Sequence, residues 1–244
     1  MIERHDHGPV TEVRIAREDR RNAVDAAHCA DLHAAVDAAL ADGARALVLT
    51  GEGTAFCAGA DLDAVTDPGF LDVLGGMLRR LVTTGVPVLA AVHGPALGVG
   101  TQLALAADLR VVGPAGVFGL PTAALGLAVD PWTVRRLALL AGGGPARRML
   151  LACERLDAAA APGLVDRAGD RAAALAWARE IADLAPLTLA YNKLALARLL
   201  EDGPQHDPVP ADVHAAFAAC WTSDDLVEGR RARTERRAPV FRGR

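Results

Sequence analysis

Two short apolar runs constrain this chain more than any other feature. ALVLT (46–50) and the core of PVLAAVHG (87–94) are aliphatic, uncharged and too short for buried helices. Strands that are apolar without alternation are buried on both faces, so helices must cover both sides of the sheet they form. The intervening sequence supplies one such helix in DAAHCADLHAAVDAALADG. Cys29, Leu32, Val36 and Leu40 share a face there, with Asp25 placed as N-cap and Gly43 as terminator. Residues 71–82 suit a second helix. Val10, Val13 and Ile15, LRVV (109–112) and VFGL (117–120) read as further strands. The expected fold class is α/β, with glycine-marked turns between strand and helix.

Past residue 130 the character becomes helical. WTVRRLALLAG, PARRMLLACERL, DAAAAPGLV, RAAALAWAREIADLA and PLTLAYNKLALARLLEDG all fit helical patterns, as do VHAAFAAC and SDDLVEGRRARTERR. GPQHDPVPAD (203–212) reads as a loop. Aromatics are 4% of the chain and hydrophobic residues 52%, so the core must be built from Ala, Leu and Val.

Several function classes lose support early. No apolar run is long enough to span a membrane, and MIERHDHGPV has none of the apolar stretch that a secretory signal needs, so a cytoplasmic location is expected. The net charge of −4 gives no pull toward nucleic acid, although seven arginines crowd residues 230–244. Ser223 is the only serine and lacks a G-x-S-x-G context, which disfavours a serine hydrolase. No phosphate-loop or dinucleotide fingerprint occurs. Cys29, Cys57, Cys153 and Cys220 have no paired spacing and read as reduced, buried thiols. His5 and His7 fall on what reads as a frayed terminus, and no metal site is expected.

Two loops carry the chemistry. TGEGTAFCAGADL (50–62) follows a buried strand, and its small residues Ala58, Gly59 and Ala60 leave the main chain bare. PALGVGTQLALAAD (95–108) runs from glycines straight into an apolar helix, whose free N-terminal amides favour a partly negative oxygen. Two amides from separate loops can form an oxyanion hole, although glycines in strand–helix turns serve geometry alone just as readily.

These loops and their flanks resemble the enoyl-CoA hydratase/isomerase (crotonase) family. The similarity runs through RRNAVDA (20–26), ALVLTGEGTAFCAGADL (46–62), AAVHGPALGVGTQLALAADLRV (90–111) and VFGLPTAALGLAVD (117–130). It continues in LDAAAAPGLVDR (156–167) and SDDLVEGRRARTERRAPVF (223–241). The resemblance implies a spiral of β-β-α turns over residues 1–190, then a helical C-terminal region over 191–244 serving oligomerisation and CoA contact. It implies homotrimers or dimers of trimers that bind acyl-CoA thioesters in lipid metabolism and need no further cofactor. The amides of Ala60 and Val99 would hold the thioester oxygen. Ala58, Asp61 and Leu62 would lie along CoA, with Arg20 and Arg21 near its phosphates and Arg236 reaching the CoA of a neighbouring subunit. A solvated charged face explains those arginines equally well. Leu120, Leu125, Leu127 and Trp132 suggest an acyl pocket, and core packing accounts for them too.

The chain departs from the family at the reacting carbons. Hydratases of the family carry two glutamates over the acyl chain, which handle the water and the proton. The matching positions here are Gln102 and Thr122. An amide cannot take up a proton near neutral pH, and a threonine hydroxyl is a very weak acid. Gln102 bonding a buried partner and Thr122 capping the next helix are the structural alternatives. Asp130 stands where dienoyl-CoA isomerases of the family place an aspartate, yet it also precedes Pro131 as a natural N-cap. Two functions follow. One is an acyl-CoA-binding protein with weak or absent hydration; the other is an isomerase or hydratase-type lyase working through Asp130.

Overall fold

Residues 1–61, 69–201 and 211–244 are described in the computed structural model. The chain runs β1 (Ile2–His7), β2 (Val10–Ile15), α1 (Ala26–Ala41), β3 (Ala46–Gly51), α2 (Phe70–Thr83), β4 (Val88–Val92), β5 (Pro95–Leu97) and α3 (Val99–Ala106). It continues with β6 (Leu109–Val112), β7 (Val117–Gly119), α4 (Pro131–Ala141), α5 (Gly143–Leu151), β8 (Leu156–Asp157) and β9 (Arg167–Ala168). Four helices close it: α6 (Arg171–Ala182), α7 (Pro186–Ala195), α8 (Ala211–Trp221) and α9 (Asp224–Glu235).

The strands of the main sheet follow the order β1-β2-β3-β4-β6-β9. Only the β1–β2 pair is antiparallel; the others are parallel. A smaller sheet follows the order β5-β7-β8. Side-chain parity along the central strands divides the interior in two. Leu47 and Leu49 of β3, with Val88, Ala90 and Val92 of β4, enter the larger core beneath α1, α2 and α3. Ala46 and Val48, with Leu89 and Ala91, point the other way, onto Ala174, Ala178 and Ile181 of α6. That two-residue period is why both runs are apolar throughout. Each fully buried leucine contributes about 2 kcal/mol of transfer free energy.

The expected helix after Asn22 forms as read: Asp25 accepts from the His28 amide as N-cap, and Gly43 follows the helix at φ +86°. Other expectations need correction. The N-terminus is not frayed; IERHDH is strand β1, with His5 against Glu3 and His7 against the buried Glu12. DAAAAPGLV is no helix. It opens as β8, turns, and continues as a short 3-10 segment from Pro162, because proline cannot serve inside a helix and β8 pairs with β7. All four cysteines are free, but only Cys29 and Cys57 are buried, and burial pushes both thiols up to about 12. The expected loop at 203–212 lies outside the described residues up to position 210.

The single lysine fastens α7 to the sheet. Lys193 donates from Nζ to Leu81 O at 2.9 Å, Val86 O at 3.1 Å and Asp108 Oδ2 at 2.7 Å. All three ammonium protons are therefore satisfied, although burial still pulls the amine below its ordinary value against the pull of Asp108.

Candidate active site

The two glycine-bearing loops are stitched together before either reaches a helix. Cys57 N donates to Pro95 O at 3.1 Å, and Leu97 N donates to Cys57 O at 2.9 Å. Gly59 sits at φ +119°, a conformation that side-chain-bearing residues rarely adopt, and this kink lays its backbone against Leu97 and Gly98. Gly100 is required by proximity: a Cβ there would run into the Cys57 carbonyl. The residues after these contacts, Ala60 and Val99, carry main-chain amides with no protein acceptor among the described residues.

Helix α3 is held at both ends. At its start Thr101 is fully buried, donating from Oγ1 to Ala96 O at 2.7 Å or Gly119 O at 2.9 Å and accepting from Gly119 N. At its C-terminus two arginines, Arg110 buried and Arg136 half-buried, meet the last carbonyls. Arg110 donates to Ala104 O and Ala107 O, and Arg136 Nε donates to Leu105 O at 2.8 Å. Cations there complement the negative pole of the helix. Burial draws Arg136 down to about 10 and lowers Arg110 as well, against the opposing charge of Asp166. Asp108 and Asp166 are the ion-pair partners of Lys193 and Arg110 respectively.

One turn into α3, Gln102 is spoken for. Its Nε2 donates to Asp130 Oδ2 at 3.2 Å and to Thr133 Oγ1 at 2.9 Å. Thr133 in turn donates from Oγ1 to Asp130 Oδ2 at 2.6 Å and from its amide to Asp130 Oδ1 at 3.1 Å. Asp130 is thus the N-cap of α4, with Pro131 in the first helical position. The N-cap reading of Asp130 is therefore realised, and the same carboxylate also faces the Gln102 side-chain amide. Thr133 went unrecognised in the sequence. Its signal was there, because an N-cap aspartate addresses the residue three positions on.

Thr122 stands at the start of the short 3-10 turn Ala123–Leu125 but makes no side-chain cap bond, so the expected capping role is not realised. The structure does not gather the apolar residues into one surface. Leu120 is fully buried in the larger core, Leu125 and Leu127 are exposed, and Trp132 is half-buried with Arg136 stacked 6.0 Å from its ring. Ala58 spends its amide on Arg21 O at 3.0 Å, and the Asp61 carboxylate takes Arg17 NH2 at 2.8 Å. Arg20, Arg21 and Arg236 are exposed. Leu62 lies outside the described residues.

The strand order, the helical C-terminal part and the paired glycine-bearing loops define the crotonase fold. The chain belongs to the enoyl-CoA hydratase/isomerase family, whose model matches residues 6–244. Among its relatives, the Mycobacterium tuberculosis (strain CDC 1551 / Oshkosh) protein named "Probable enoyl-CoA hydratase echA6" is 43% identical over 238 residues, covering 96% of each chain. The carnitinyl-CoA dehydratase of Citrobacter koseri is 34% identical, covering 98% of this chain and 97% of its own. The crystal structure of an enoyl-CoA hydratase from Mycobacterium tuberculosis H37Rv superposes with a TM-score of 0.88 at 32% identity, covering 100% of this chain and 99% of that one. No helix among the described residues is long and apolar enough to cross a membrane.

Proposed function

We propose that this protein binds an acyl-CoA thioester, polarises its carbonyl through the amides of Ala60 and Val99, and hydrates it weakly or not at all. The observation that carries the proposal is the capture of Gln102 by Asp130 and Thr133. Both amide protons of Gln102 are committed, and its remaining oxygen is an acceptor that takes up no proton near neutrality. A water lying over the acyl carbons has no carboxylate at this position to activate it. General-base assistance commonly contributes about 10²- to 10⁴-fold per group, so two substituted positions remove most of the hydration rate. Polarisation remains, because two converging N–H groups stabilise developing charge on the oxygen without titrating.

Arg20, Arg21 and Arg236, exposed and cationic, are suited to the CoA phosphates, with Ala58, Asp61 and Leu62 along the nucleotide path. A homotrimer or dimer of trimers in the cytoplasm, handling fatty acyl-CoA, is the assembly and setting this reading carries. Isotope-edited infrared spectroscopy of bound, carbonyl-labelled crotonyl-CoA tests it. The carbonyl stretch is expected to fall in frequency on binding, and an unmoved stretch contradicts the paired-amide site.

A second reading is favoured by one contact, the 3.2 Å approach of Asp130 to Gln102. That contact leaves a carboxylate beside the position where hydratases carry a glutamate, suited to moving a double bond through an enolate. Three protein donors, Gln102 Nε2 and the Thr133 amide and hydroxyl, already occupy that carboxylate. Double-bond migration abolished by Asp130→Asn would favour this reading; a parent protein without that turnover would end it.

A further inference from the structure

The Ala60 amide is aimed by a segment that does not belong to its own loop. Val24 bridges Ala60 in parallel register, with Val24 N donating to Gly59 O at 2.9 Å and Asp61 N donating to Val24 O at 2.8 Å. Those bonds use the groups on either side of Ala60. In a parallel bridge of this kind the central residue turns its own N–H away from the partner strand, so Val24 sets which way the Ala60 amide faces. What holds residues 17–24 in place therefore decides where that proton points.

Asn22 holds them. Its side chain is fully buried, and all its bonds go to main chain. Oδ1 accepts from Arg17 N at 3.0 Å, and Nδ2 donates to Glu52 O at 2.8 Å and Ala55 O at 2.7 Å. Its own amide closes the turn by donating to Arg17 O at 2.8 Å, with the residue at φ +62°. One carboxamide thus clasps the 17–22 turn to the loop that leads into Ala60. The bond to Arg17 reaches further, because Arg17 NH2 lies 2.8 Å from the carboxylate of Asp61, the residue next to Ala60.

From this placement we infer that Asn22 is a positioning residue for the Ala60 amide. It touches no ligand, being sealed from solvent, and acts through Val24 and Arg17. The inference rests on the oxyanion reading above. Its loss would rotate or loosen the Ala60 N–H while leaving the CoA-facing surface and both cores in place.

The test compares octanoyl-CoA with S-octyl-CoA, the thioether that lacks the carbonyl, by titration calorimetry. The parent is expected to bind the thioester about tenfold more tightly, the worth of roughly one net hydrogen bond. Asn22→Gly tolerates the left-handed backbone without strain and deletes the clasp. It is expected to bind S-octyl-CoA within about twofold of the parent and to lose a clear part of the thioester preference, the Val99 amide supplying what remains. A general loss of structure would weaken both ligands alike. A preference undiminished in Asn22→Gly overturns the positioning role and leaves the oxyanion reading standing. A parent with no preference overturns the oxyanion reading, and the positioning role with it. Should Asn22→Gly fail to fold, Asn22→Asp keeps the acceptor, loses both donated bonds and is read by the same ratio, an undiminished preference again being the contradicting result.

Discussion

On the proposed reading the chemistry turns on Gln102, and its environment predicts what a glutamate there would do. Gln102→Glu places a new carboxyl where Nε2 now lies 3.2 Å from Asp130 Oδ2. Two carboxylates so close cannot both ionise cheaply, so the new group's folded-state pKa rises above its ordinary value of about 4.3. A raised value means the variant's stability is complete below the unfolded pKa and is lost as pH rises through the folded one. Thermal melts should therefore show a deficit against the parent that is small near pH 5 and grows toward pH 8. A deficit independent of pH would mean that Asp130 swings away. Restoring the family's glutamate thus fails to restore a clean catalytic base unless Asp130 is removed as well.

Elements were legible where pattern and tertiary burial agree. ALVLT became β3 because both faces of a central parallel strand are buried, and the helix after Asn22 formed because its cap, apolar face and terminating glycine are all local. Legibility failed where the deciding partner lies far along the chain. IERHDH has no apolar alternation, and it is a strand because it pairs with β2 at the sheet edge, where charged residues are ordinary. DAAAAPGLV has helix-forming alanines, yet pairing with β7 and Pro162 override them. At the site, Asp130 was readable as a cap from Pro131, but its contact with Gln102 spans 28 residues and carries no local mark. The C-terminal tail shows the same long-range logic. Asp225 at the start of α9 accepts from Arg242 N at 2.6 Å and Gly243 N at 2.8 Å, while Arg45 NH1 donates to Phe241 O at 2.9 Å. Asp225→Ala should raise amide exchange at Arg242 and Gly243 by roughly tenfold or more, with β3 and β4 unchanged. Unchanged protection of the tail would show that its other bonds, Arg45 to Phe241 O, Asp224 N to Arg244 O and Val240 N to Glu228, suffice to hold it.

At the scale of the whole molecule, a few buried ion pairs join layers that apolar packing alone would leave adjustable. Lys193 joins α7 to the end of α2 and to Asp108 beside β6, while Arg110 joins α3 to Asp166 beside β9. Lys193→Ala leaves the mostly buried Asp108 carboxylate without its ammonium, although Val88 N still donates to it, so the variant should cost about 3–5 kcal/mol in urea unfolding; a cost below about 1 kcal/mol would mean Asp108 finds water instead. On the proposed reading, this frame presents two untitratable amides to a ligand while Gln102 and Thr122 stand where proton carriers are needed. The most direct test is a single turnover with the protein in excess over crotonyl-CoA, following the enoyl absorbance and then recovering the ligand. The account predicts that the thioester is bound and comes back unhydrated; prompt conversion of the bound ligand to 3-hydroxybutyryl-CoA would contradict it.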